Sequence, residues 1–289
     1  LLFKEIRKDK NVIVMSFQAN LYATLIAWLS GVNIVCRANA SLKGWLKNPI
    51  KKLIYKIIMK LSSRIIVNSK AMQLEFKNDL NLNSILIFNP LDKKKILLNS
   101  KKKINLSFFN NQKHLKILNI GRLTEQKDQM TLLKAAGLLK RKLKFKLILL
   151  GQGSEKKRLE NYILNNGLNK YVKILNFKKN PYPIIRKTDL FILSSKYEGL
   201  PNVLLEAIVL KKLVISSDCP TGPREILQNG KGGILFKTGS YVDLYNKILS
   251  LNKNKKLNIQ RIIYAYKSLR KYDYKFNLNK YLKVIQGLD

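Results

Sequence analysis

Between residues 115 and 236 the chain alternates short, predominantly apolar runs with longer segments of helical period, and few folds accommodate that rhythm. The runs at 115–120, 145–150, 172–177, 190–193, 213–216 and 233–236 have the length of strands buried on both faces. Helical segments at 128–140, 154–165, 183–186, 202–210 and 223–227 separate them. Such alternation builds a parallel sheet, because each crossover helix covers a face before the next strand joins. The first third repeats the pattern, with strands at 11–17, 33–38, 64–67 and 84–88 and helices at 18–30, 47–61 and 70–80. The expected architecture is α/β, with two Rossmann-like doubly wound domains of which the N-terminal one is incomplete. Boundaries fall at 1–110 for the first domain, including a Lys- and Asn-rich linker at 92–113, and at 111–260 for the second. Residues 261–289 read as a helical tail that crosses back to the first domain. The opening LLFKEIRKDK has neither a starting Met nor a signal-peptide layout, so the chain reads as N-terminally truncated.

Open parallel sheets bind ligands beyond the carboxyl ends of their strands. The stretch DLFILSSKYEGLPNVLLE, 189–206, runs from a buried strand through a loop into a helix opened by Pro201. Glu198 sits in the loop and Glu206 one to two turns into the helix. Free backbone N–H groups around Gly199 to Asn202 would form an anion cradle beside two carboxylates, which suits a polyhydroxylated, anionic ligand such as a nucleotide sugar. At the same edge, GRLTEQK follows the first strand of the second domain. Gly121 permits a close turn, while Arg122 supplies a forked donor and Lys127 a point cation, a pairing suited to a diphosphate. The loop Gly151-Gln152-Gly153-Ser154 reads as a turn with Ser154 as helix cap.

Charge is lopsided, with 56 Lys and Arg against 17 Asp and Glu, formally +39. Either lysines are spread over solvated faces, or the chain meets an anionic surface, nucleic acid or acidic lipid. No nucleic-acid module and no regular interleaving of aromatics with basic residues is present, so nucleic acid is not an expected partner. The segment 47–61, KNPIKKLIYKIIMKL, puts Ile50, Leu53, Ile54, Ile57, Ile58 and Leu61 on one helical face, with Lys52, Lys56 and Lys60 opposite. It reads either as a surface helix packed on its own sheet or as a helix lying against anionic lipid headgroups. No apolar run of about 18 residues is present. Cys36 and Cys219 form no metal-ligand pattern and fit a reducing cytoplasm, and the single His114 has no catalytic partner nearby in sequence.

The paired acids, with GR…K upstream and GLPNVLLEA between and after them, resemble the retaining glycosyltransferases of family four. Residues 117–139 are similar to that family's first C-domain unit. Residues 214–227, VISSDCPTGPREIL, look like members that assemble bacterial polysaccharides and lipid-linked oligosaccharides. The N-terminal SFQAN, CRANAS and IVNSKAMQLEF…IFNPLD segments fit the same subgroup. The resemblance implies the GT-B architecture, with 1–110 on the acceptor side and 111–260 holding the donor. It implies that Arg122 and Lys127 hold the donor pyrophosphate, that Glu198 faces the transferred sugar, and that Glu206 accepts from the ribose. Gly121, Gly199, Leu200, Asn202 and Val203 would meet the sugar and phosphates through their backbones, and Phe177 would lie in the base-contacting loop. The implied reaction moves a hexose or N-acetylhexosamine from a UDP-sugar to a lipid-linked or polysaccharide acceptor, at the inner face of the plasma membrane. The glycine-rich loop and N-domain His of complete members have no counterpart here, and no Asp-x-Asp signals a metal, so no cofactor is expected. A sugar-nucleotide epimerase of the same architecture and a basic nucleic-acid-binding protein are the competing readings.

Overall fold

The computed structural model describes residues 1–46 and 48–288, without the side chain of Trp45. Its strands form two all-parallel sheets. The first contains β1 (Val14–Ser16), β2 (Ile34–Ala38), β3 (Arg64–Val67) and β4 (Ile85–Leu86) in that order. The second contains β5 (Leu115–Ile120), β6 (Phe145–Leu150), β7 (Val172–Leu175), β8 (Leu190–Leu193), β9 (Leu213–Ser217) and β10 (Ile234–Phe236), in the order β10-β9-β8-β5-β6-β7. The architecture is α/β with two Rossmann-like domains.

β8 shows why its own run is apolar throughout. Leu190 and Ile192 enter the core layer beneath the Gln129–Leu139 and Lys156–Asn165 helices. Phe191 and Leu193 enter the opposite layer, with the Asn202–Val209 helix. Successive side chains on a strand point to opposite faces, so both must be apolar when both faces are covered. The chain lays down β5, β6 and β7 outward and then returns to place β8 on the other side of β5. That reversal, registered by Ile117 against Leu190, opens a crevice between the carboxyl ends of β5 and β8.

Three segments depart from the sequence expectation. Within 92–113, Lys93–Ser100 is a helix capped by the Asp92 side chain, and Ile96, Leu106 and Phe109 join the core that holds Ile184 and Ile185. The run of three lysines at its start hides the apolar face from a periodicity reading. Residues 261–289 span two bodies: the Lys255–Ser268 helix packs on the second domain through Ala265, whereas Tyr274–Gln286 lies on the first sheet, with Tyr281 against Val35, Ile66 and Ile87. Leu91 and Asp273 pair where the chain crosses between domains in each direction. Third, the helix expected at 47–61 runs Pro49–Lys60, with Asn48 as its cap and Lys47 outside the described residues. It buries Tyr55 and Met59, while Ile50, Leu53, Ile54 and Ile57 are 48–68% exposed. The helix therefore packs on its own domain, but through Tyr55 and Met59 and not through the aliphatic face at Ile50, Leu53, Ile54 and Ile57.

The domains meet at the loop after β8. Ser41 N–H donates to the Glu198 carbonyl at 3.0 Å, and Asn89 Nδ2 donates to the Leu200 carbonyl at 3.1 Å. A Cβ at Gly199 would lie far inside van der Waals contact with the Asn39 carbonyl oxygen, so only glycine fits there. Gly199→Ala is expected to push the two domains apart. Small-angle scattering should show a larger radius of gyration with the secondary structure intact, and an unchanged profile would mean that the contact is not limiting.

Candidate active site

The Gly121–Lys127 loop leaves β5 and the Ser194–Pro201 loop leaves β8, so the sheet reversal brings them face to face. The first loop is pinned at its far end. Asp128 adopts a left-handed φ of 46°, and its carboxylate accepts from the Thr131 N–H and hydroxyl, capping the Gln129–Leu139 helix. The two loops are then zipped together. Lys196 N–H donates to the Gln126 carbonyl at 2.8 Å, Gln126 Nε2 to the Tyr197 carbonyl at 3.0 Å, and Ser194 Oγ to the Lys127 carbonyl at 2.9 Å.

At the centre, Lys127 Nζ lies 2.5 Å from Glu198 Oε1, and Ser195 Oγ donates to the same oxygen at 2.5 Å. Glu198 is only 6% exposed, and its Oε2 makes no hydrogen bond among the described residues. Beside it the Arg122 guanidinium is exposed, held only by a 3.2 Å contact from Nη2 to Gln126 Oε1. The site thus has one cation neutralised by a carboxylate and one that is exposed and bonded to no carboxylate among the described residues.

Glu206 forms a second centre. It is half-buried, and burial pushes its carboxyl up to about 7, opposed by a hydrogen bond from Tyr182. Tyr182 starts the helix after β7, so the 176–182 segment that carries Phe177 is drawn toward Glu206. Phe177 itself is 65% exposed and follows β7, two strands from β5. Lys127 links Gly121 and Glu198 into one group, with Arg122 joined to the same loop through Gln126, whereas Glu206 is held by a different partner, Tyr182.

The N–H groups of Gly199, Leu200, Asn202 and Val203 make no hydrogen bond among the described residues, which leaves an unfilled cradle at the start of the Asn202–Val209 helix. Two of these residues also serve the domain junction: Gly199 packs on Asn39, and Leu200 is buried in the core while its carbonyl accepts from Asn89. Gly151 and Gly153 allow the backbone of the β5 loop to pass close by, at Gly121 and Leu123. Ser154 is not a cap. The neighbouring helix begins at Lys156, with Glu155 in the cap position and no side-chain bond. His114 stands at the opposite edge of the sheet, just before β5. Cys219 is buried near Glu198, its thiol pushed up to about 12 by burial, so it holds its proton. No group of three His, Cys, Asp or Glu residues able to hold a metal occurs among the described residues. Sequence reasoning missed Ser195, Gln126 and Tyr182 as partners of the charged groups, because each acts through a contact that spacing does not encode.

The fold and the crevice define a two-domain enzyme architecture of the GT-B type. Residues 100–268 match the family described as glycosyl transferases group 1, and the chain belongs to that family. It is 37% identical over 193 residues to an uncharacterised glycosyltransferase of Methanocaldococcus jannaschii, covering 65% of this chain and 47% of that protein. It is 27% identical over 220 residues to the Campylobacter jejuni N-acetylgalactosamine-N,N'-diacetylbacillosaminyl-diphospho-undecaprenol 4-alpha-N-acetylgalactosaminyltransferase, covering 74% and 58%. The chain thus spans about half of the first relative and under two thirds of the second. Among solved structures, Anabaena HepE in complex with UDP and glucose superposes with a TM-score of 0.84 at 18% identity, over 99% of this chain and 81% of that one.

Breaking a buried ion pair by removing one partner leaves an uncompensated charge, at a cost of about 3–5 kcal/mol. Lys127→Met and Glu198→Gln should each destabilise the protein by about 3 kcal/mol, and the double variant by clearly less than the sum. Urea unfolding of the four proteins measures this, and strict additivity would show that the two groups do not interact.

Proposed function

We propose that this protein is a retaining glycosyltransferase. It moves a hexose or N-acetylhexosamine from a UDP-sugar to a lipid-linked or polysaccharide acceptor of a cell-surface glycan. The observation that carries this reading is the open Arg122 guanidinium beside the Lys127–Glu198 pair, at the reversal of a parallel sheet and next to unfilled helix-start N–H groups. In this reading Arg122 and Lys127 offset the charge that develops on the departing nucleoside diphosphate. Glu206 accepts from the ribose hydroxyls, Phe177 lies against the base, and Glu198 presents Oε2 to the hydroxyls of the transferred sugar. Leaving group and incoming hydroxyl share one face of the sugar, which is what retention requires. The diphosphate charge is met by side chains and backbone, without a divalent ion. Support for the donor comes from HepE, whose structure was solved with UDP-glucose, and support for a lipid-linked acceptor from the Campylobacter enzyme's diphospho-undecaprenol substrate.

The exposed aliphatic face of Pro49–Lys60, bordered by Lys51 and Lys60, supports a working position at the inner, acidic face of a membrane. No described helix is long and apolar enough to cross one. Binding to phosphatidylglycerol vesicles in preference to phosphatidylcholine is expected, with release at high salt and loss on Leu53→Glu/Ile54→Glu substitution. Equal binding to both vesicle types would return the helix to solvent.

UDP release from UDP-glucose, UDP-galactose and their N-acetyl forms tests the donor assignment. Arg122→Ala should lower turnover by roughly two orders of magnitude, the scale of one preorganised donor to a developing charge. Its unfolding should match wild type, because the exposed guanidinium holds little else. Wild-type turnover in this variant would falsify the assigned role.

A further inference from the structure

A pocket of about 350 Å³ opens at the carboxyl ends of β1 and β2, lined by Phe17, Tyr22, Arg37, Asn39 and Tyr55 among others. The nucleotide-sugar groups named above lie across the cleft from it. The pocket's floor is tied to the donor loop: the Asn39 backbone abuts Gly199, and Asn89, which Arg37 contacts, reaches Asn202 Oδ1 at 2.5 Å.

Among the described residues Arg37 is the only cation in this lining, and its side chain is held by neutral groups. Nε donates to the Tyr281 hydroxyl at 2.6 Å, Nη1 to Asn39 Oδ1 and Nη2 to Asn89 Oδ1. Its carbon lies 5.6 Å from the centre of the Phe17 ring. Every one of these partners is neutral, and no ion pair to Arg37 forms among the described residues. Arg122, whose one partner is Gln126, is likewise without a carboxylate, whereas Lys127 faces Glu198 and Arg224 faces Asp218. A guanidinium has five N–H donors, so one remains on each Nη, held in place by three neutral anchors. A fixed, uncompensated cation at the mouth of an aromatic pocket matches a ligand that is anionic at one point and apolar or ring-shaped next to it. Tyr55 lines the pocket from the Pro49–Lys60 helix, whose adjoining Ile54 and Ile57 are exposed. One helix thus forms both a wall of the pocket and the aliphatic surface outside it.

We propose that Arg37 binds the phosphate or diphosphate of an amphipathic acceptor, whose apolar portion runs from the Phe17–Tyr22–Tyr55 pocket toward the exposed face of the Pro49–Lys60 helix. This deepens the glycosyltransferase reading and rests on it for the word acceptor; the site meets the donor loop at its Asn39 and Asn89 anchors, and Arg37 itself contacts no donor residue.

The test is calorimetric titration of the full chain with farnesyl diphosphate, farnesol and inorganic pyrophosphate at about 0.15 M salt, where diffuse attraction to a basic surface is screened. Farnesyl diphosphate should bind at least about tenfold more tightly than either of the others, and saturating UDP should not displace it. Arg37→Gln should remove the preference over farnesol while UDP affinity stays within about twofold of wild type. Tyr22→Ser, at an exposed position that leaves folding alone, should weaken farnesyl diphosphate several-fold and leave pyrophosphate unchanged. Displacement by UDP, or undiminished farnesyl diphosphate binding in Arg37→Gln, would overturn the proposal. Pyrophosphate binding as tight as that of the lipid would remove its amphipathic half. Failure of wild type to bind UDP would defeat the donor assignment and still leave the Arg37 result to be read.

Discussion

The ion pair between Lys127 and Glu198 is the constraint around which the second domain's working edge is arranged. It joins loops from the two strands that flank the sheet reversal, more than seventy residues apart in sequence. Two charges withdrawn from water cost several kcal/mol each, and the attraction between them returns that only if other groups satisfy the remaining valences. Ser195 does so at Oε1, and the zipper through Gln126 and Lys196 holds the loops at the required separation. The Glu198 backbone is used as well, since its carbonyl accepts from Ser41 N–H and from Thr221 Oγ1. A single residue therefore carries the crevice charge on its side chain and the domain junction on its main chain.

Much of this architecture can be read from the sequence, for a physical reason. A strand covered on both faces is apolar at most positions, so LFIL and its less regular counterparts, such as LKILNI and FKLILL, stand out against a basic, polar background. Topology then places Arg122, Lys127 and Glu198 at one edge without any knowledge of contacts. Periodicity fails where it carries no sign. The Pro49–Lys60 pattern identifies an amphipathic helix, yet only packing decides that Tyr55 and Met59 face inward while Leu53 and Ile57 face out. The Lys93–Ser100 helix is lost for the opposite reason, because its lysines lie beside its buried Ile96. Long-range polar partners are illegible altogether. Asn89 meets Asn202 across 113 positions and Arg37 meets Tyr281 across 244, and nothing local to any of the four indicates it.

The excess of basic residues draws attention first, but the acids are the more informative charges. With 17 carboxylates against 56 Lys and Arg, a lysine on the surface discriminates little, whereas a carboxylate taken out of water needs a specific reason to be there. Four such glutamates lie on or beside the cleft. Glu75 accepts from Ser41 Oγ and the Leu42 N–H, fixing the segment whose neighbour Asn39 touches Gly199. Glu198 holds Lys127, Glu206 is paired with Tyr182, and Glu225 accepts the Lys70 N–H at the start of the Lys70–Leu80 helix, bridging the domains. Each of them either orders backbone at the domain junction or sets the charge in the crevice. In a chain this basic, the places where carboxyl groups have been retained and withdrawn from water mark the interdomain cleft more sharply than any cluster of lysines does.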